Sequence, residues 1–178
     1  VADLLTGEQF NELFRAVRHS AFRLETRDRY NSPTEQEPIR RFLAGDPDED
    51  YLGSHAWNDM TRSAAAEGRP FTRVRIVTVP LGDYSRYALW SAQGNIASGE
   101  EIRYLDRGRA AALGLPVHPP HDAWLLDEQR VAILRFDEND RLLGAELHDD
   151  SATAEQHCHW RDTAWKASLS RDEFLRSL

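Results

Sequence analysis

The spacing of apolar residues changes period along this chain, and that change restricts the fold more than any other feature. Over Gly7 to Ser20, Phe10, Leu13, Phe14 and Val17 recur at i, i+3, i+4 and i+7, one apolar stripe on a helix. Immediately afterwards Phe22, Leu24 and Thr26 alternate with Arg23, Glu25 and Arg27. That is the period of a strand with one buried face and one charged face. Ser32-Pro33-Thr34-Glu35 has the pattern of a capping box with Pro at the first helical position, although Pro38 argues for a later start. Gly45 ends that helix, and Asp46 to Gly53 is an acidic loop. Ser54 is placed to cap a helix that turns Trp57, Met60 and Ala64 inward and stops at Gly68.

The second half repeats the alternation and then abandons it. Val74, Ile76, Val77 and Val79 form an apolar strand closed by Pro80. Asp83 is placed to cap a helix that carries Tyr84, Tyr87, Ala88 and Trp90 and ends at Gly99, and Ile102 to Leu105 is a short strand. After a Gly/Pro/Ala-rich connection, three apolar segments follow closely: His121 to Leu126, Arg130 to Phe136 and Arg141 to Leu147. Turn-rich breaks separate them, so two hairpins are expected. A helix from Ala152 to Ser168 and a short last helix with Ser170 and Glu173 as its capping box complete the chain. The expected fold is a single α/β domain over residues 1–178, with a mixed sheet covered by helices on both faces.

A length of 178 residues suffices for one packed core. The formal net charge of -8 argues against general binding to nucleic acid or anionic membranes, because phosphate contacts depend on Lys and Arg. Lys166 is the only Lys. The bias to Arg reflects either genome composition or a need for planar forks that hold carboxylate or phosphate. Cys158 is the only Cys, which excludes an intrachain disulfide and a paired-cysteine zinc site. With no apolar run of membrane-spanning length and no secretion-signal pattern, a cytoplasmic location is expected. No glycine-rich phosphate loop, Gly-x-Ser-x-Gly elbow or His-Glu-x-x-His occurs, so no cofactor is expected. His157-Cys158-His159 falls on a helix, where i and i+2 point apart. Those residues read as surface, not as metal ligands.

The polar residues that stand out as candidates form four groups. They are Arg18 to Tyr30, the strand pair Arg73 and Arg75, Asp83 to Tyr87 at a helix start, and His121-Asp122-Ala123-Trp124. Between Arg15 and Arg29 there are five Arg against Glu25 and Asp28, whereas His121 to Asp150 carries nine carboxylates against three Arg. A site for an anion is therefore expected toward the N-terminal group. The leading expectation is a non-catalytic binding or regulatory domain for a small anionic ligand or a protein partner, using Arg23, Arg27, Tyr30, Arg75, Tyr84, Arg86 and Trp124. The bland alternative makes Arg23, Glu25 and Arg27 an ion-pair ladder on an exposed sheet face. An enzyme reading would use His19 or His121 as base, oriented by Glu25 or Asp122. A homodimer would supply a composite site.

Several stretches resemble an actinobacterial domain family of unknown function: Phe14 to Tyr30, Asp83-Tyr84-Ser85-Arg86-Tyr87, Gly99-Glu100-Glu101-Ile102, His121-Asp122-Ala123-Trp124, Gly144-Ala145-Glu146 and Trp160 to Trp165. Members are often encoded near Xre-type helix-turn-helix regulators, which implies such a regulator as partner. The strand opened by His121, with its turn and following apolar strand, also resembles half of a phospholipase D-like domain. That superfamily requires His-x-Lys. Here Ala123 stands in the Lys position and Glu128 where an Asp is needed, which implies that phosphodiesterase activity is lost.

Overall fold

A computed structural model describes residues 4–53 and 55–178. Seven strands form one mixed sheet: β1 (Ala21–Glu25), β2 (Phe71–Val77), β3 (Glu101–Asp106), β4 (Ala123–Leu126), β5 (Arg130–Phe136), β6 (Leu142–His148) and β7 (Leu169–Ser170). Their spatial order is β6-β5-β4-β1-β2-β3-β7. β1, β2 and β3 run parallel, and every other pairing is antiparallel. The helices are α1 (Gly7–Arg15), α2 (Gln36–Leu43), α3 (Ala56–Ala66), α4 (Asp83–Ala97), α5 (Arg107–Ala112), α6 (Ser151–Ala167) and α7 (Arg171–Ser177). The α/β alternation therefore yields the parallel half of the sheet, and the hairpins yield the antiparallel half.

Side-chain alternation divides the sheet into two faces. Phe22, Leu24, Val74, Ile76, Leu105 and Val131 point to the face covered by α5 and α6, where Ala110, Trp160 and Ala164 close the core. On the opposite face, α1 and α3 set Leu13, Phe14 and Ala64 against Ala21, Phe71 and Trp124. Farther along that face, α4 and α7 pack Leu89, Ala92 and Phe174 on Val77, Ile102 and Tyr104. The sheet surface between these last two apolar clusters carries Arg23, Glu25, Arg73 and Arg75.

Several boundaries move for local reasons. α1 ends at Arg15, not at Ser20, because the backbone N–H groups of Arg18, His19 and Ser20 turn onto the Asp127 carboxylate at 2.7–3.1 Å. Pro33–Glu35 is a 3₁₀ turn without a side-chain cap, and α2 starts at Gln36. Pro38 lies in the first turn of α2, where a missing N–H breaks no helical bond. Gly82, not Asp83, precedes α4. The expected Ser54 cap lies outside the described residues. The last capping box forms as expected between Ser170 and Glu173. Asp50–Gly53, inside the expected acidic loop, is a 3₁₀ turn. No described helix is long and apolar enough to cross a membrane.

Candidate functional site

Parallel register brings the charged residues of β1 and β2 side by side. Arg23 pairs with Arg73, and Glu25 with Arg75. Across the other edges, Arg23 faces Trp124 and Arg75 faces Tyr104. The face that carries Arg23 and Glu25 is not the exposed ladder that alternation alone suggests. Glu25 is 2% exposed, and Arg73 and Arg75 are each 9% exposed. Like charges pair across β1 and β2 at Arg23 and Arg73, and the neighbouring Glu25 neutralises this. Its Oε1 accepts from Arg73 Nη1 at 2.9 Å and its Oε2 from Arg75 Nε at 2.5 Å, while Arg23 Nε lies 3.1 Å from Oε1. Burial opposes the charge on Glu25, but the three guanidinium groups outweigh it and hold the carboxyl well below the usual range.

Arg73 is fully engaged. It also donates through Nε to Glu100 Oε1 at 2.8 Å, and Glu100 Oε2 accepts from Trp57 Nε1 at 3.0 Å and Asn95 Nδ2 at 3.2 Å. The guanidinium groups of Arg23 and Arg73 lie 5.5 and 5.9 Å from the Trp124 ring, within cation–π range. Trp124, 1% exposed, is thus core and platform at once.

A cavity of about 470 Å³ opens above this floor. At its charged end stand Arg23, Arg75, Tyr30, Tyr84 and Glu35. Tyr84 donates to Glu35 Oε2 at 3.2 Å, and the Tyr30 and Tyr84 rings are 5.7 Å apart. Burial raises the Glu35 carboxyl above its ordinary value, with Arg75 pulling the other way. The lining also includes Leu52, Trp57, Asn58, Ala88, Ala92 and Asn95, together with Arg73, whose charge is taken up by Glu25 and Glu100. Arg75 spends only Nε on a protein acceptor among the described residues. Arg23 is held by Glu25 and, at 3.9 Å, by Asp122. Donor edges of both guanidinium groups are therefore available to the cavity.

Of the residues singled out in the sequence, Arg23, Tyr30, Arg75 and Tyr84 converge on this cavity, with Trp124 beneath. Arg27 and Arg86 do not join them. Arg27 donates to Asp140 at 2.8 Å and lies over Phe136, and exposed Arg86 pairs with Asp83 on its own helix. The proposed acid/base pairs are not assembled. His19 is exposed before β1, whereas Glu25 ends that strand in the cavity floor. His121 and Asp122, just before β4, point to opposite sides of the sheet. The His121 ring meets His157 of α6, Nε2 to Nε2 at 2.9 Å, while Asp122 accepts from Thr26 N and Oγ1 at 2.9 and 2.8 Å and from the Tyr30 hydroxyl. Burial pushes His121 down to about 4, keeping it neutral. His157 is 7% exposed, not a surface residue as its helical position suggests. Among the described residues no group of three or more His, Cys, Asp and Glu could hold a metal ion.

Sequence reasoning grouped Arg73 with Arg75 but left it out of the binding set, and missed Glu35, Glu100, Trp57, Asn58 and Asn95. The available signal was Arg73-Val74-Arg75-Ile76 beside Arg23-Leu24-Glu25. Charged residues that alternate with fully apolar ones on two parallel strands must face a second covered layer, because parallel sheets are covered on both faces. No curated protein matches the chain. Residues 8–176 match the family described as Domain of unknown function (DUF6879), and the chain belongs to that family.

Proposed function

We propose that this domain binds a small anionic ligand in the cavity between β1, β2 and α4. One observation carries the reading: the floor presents unspent guanidinium donors of Arg23 and Arg75 in a concave site of ligand size. Buried forks of this kind favour carboxylate and phosphate oxygens, since charge-assisted hydrogen bonds are the strong ones and Arg cannot be deprotonated. Tyr30 and Tyr84 add ring surface, their hydroxyl protons being held by Asp122 and Glu35. The acid/base alternative has less support, because neither His19 nor His121 has a carboxylate within ion-pair distance among the described residues.

Regulation extends the same proposal. The resemblance to an actinobacterial family encoded beside Xre-type regulators supports a cytoplasmic binding domain whose occupancy a regulator partner reads. The decisive experiment is calorimetry with a panel of small carboxylates and phosphates. An Arg75→Met variant is expected to lose about 10–100-fold in affinity for any binder, the worth of a charge-assisted contact. Arg86→Ala is expected to bind as the parent does. A panel without a binder, or equal losses in the two variants, sinks the reading.

A further inference from the structure

The anion seat leaves one cavity carboxylate without a counter-ion. Glu35 ends the turn Pro33–Glu35, half-buried at the charged end of the cavity. Its Oε2 accepts from Tyr84, and no Arg, Lys or His comes within ion-pair distance of it among the described residues. The floor carboxylates differ: Glu25 and Glu100 each lie within 2.9 Å of an Arg nitrogen. The charges that Glu35 feels come from farther off, attraction from Arg75 and Arg23 and repulsion from Glu25. A carboxylate offers about four lone-pair sites, and Tyr84 uses one. An anion held by Arg23 and Arg75 would share the cavity with this carboxylate, and like charges at close range repel. The repulsion disappears if the same ligand turns a protonated amine toward Glu35.

Building on the anion reading above, we infer that the ligand is amphoteric: an α-amino acid whose carboxylate meets Arg23 and Arg75 and whose ammonium group meets Glu35. The remainder of the cavity then receives the side chain. Trp57, Ala88 and Ala92 offer apolar and ring surface there. This lining and a volume of about 470 Å³ fit a large aromatic side chain.

Three probes separate the two seats on the full chain by calorimetry. They are L-tryptophan, indolepropionate (which lacks the amine) and tryptamine (which lacks the carboxylate). Tryptophan is expected to bind about tenfold or more tightly than either, since each lost charge-assisted contact is worth at least that much. In Glu35→Gln, which keeps an acceptor for Tyr84, tryptophan is expected to fall to the level of indolepropionate, whose own affinity does not drop. An unchanged melting temperature verifies that the variant folds. If indolepropionate equals tryptophan on the parent protein, the amine seat is wrong and the anion seat stands. If tryptamine binds most tightly, both are wrong. If none of the three binds, the aromatic amino-acid assignment is overturned.

Discussion

Glu25 balances three guanidinium groups with two oxygen atoms, so removing its charge leaves buried cations uncompensated. Glu25→Gln keeps the shape and loses the charge. The expected loss of stability is about 3–5 kcal/mol, the cost of breaking a buried ion pair from one side. Because a domain has only about 5–15 kcal/mol in total, this single change should approach unfolding. Urea denaturation measures it, and a loss below about 1 kcal/mol would mean that water in the cavity already screens these charges. At this scale the sequence was partly legible. Arg23, Tyr30, Arg75 and Tyr84 stood out as polar residues beside aromatic ones. Glu35 and Glu100 did not, because a lone acid in a polar stretch looks the same whether it ends in water or in a cavity. Only the approach of Tyr84, Arg73 and Trp57 distinguishes them.

Among the elements, α4 shapes the cavity through a residue with no side chain. Gly94 lies against the turn Asp50–Gly53, and a Cβ there would come within 1.9 Å of the Leu52 carbonyl oxygen. Backbone cannot yield as a side-chain tip can. Gly94→Ala is expected to push this wall outward and cost about 1–3 kcal/mol, despite the better helix propensity of Ala. A thermal melt of the variant checks it, and an unchanged or raised midpoint would show that the turn moves freely. Local signals placed most elements well. The period of two found β1, the turn-rich breaks found β5 and the two hairpins, and the Ser170–Glu173 pair found the start of α7. β7 escaped notice because two residues carry no period. It exists only because Leu169 and Ser170 meet the free edge of β3. The tail of α1 was overestimated for a related reason: Asp127, more than a hundred positions away, takes its N–H groups.

For the molecule as a whole, the two imidazoles that join β4 to α6 tie stability to pH. Burial lowers His121 from its ordinary 6.5 to about 4, and lowers His157 as well. The unfolded chain takes up these protons first. Stability therefore rises with pH between about 4 and 6.5, and is lost as pH falls through that window. Glu25, held low, adds loss at more acid pH, whereas Asp122 and Glu35, raised by burial, act in the opposite sense. His121→Gln is expected to flatten the slope between pH 6.5 and 4, read as the urea midpoint at successive pH values. An unchanged slope would place the pH dependence elsewhere.

The class of fold is readable from local signals alone: period, turn chemistry and caps act over a few residues, and they suffice to order helices and strands into a mixed sheet. Where the charges face follows from packing between elements far apart in the chain. Alternation says that Arg23 and Glu25 share a side, but it cannot say whether that side meets water or another layer. Here α1 and α3 on one flank and α4 and α7 on the other leave a cavity between them, and the guanidinium groups lie buried in its floor. Burial is a property of neighbours distant in sequence. Arg23 and Glu25 belong to an ordinary surface ladder on paper and to the floor of a cavity in the fold.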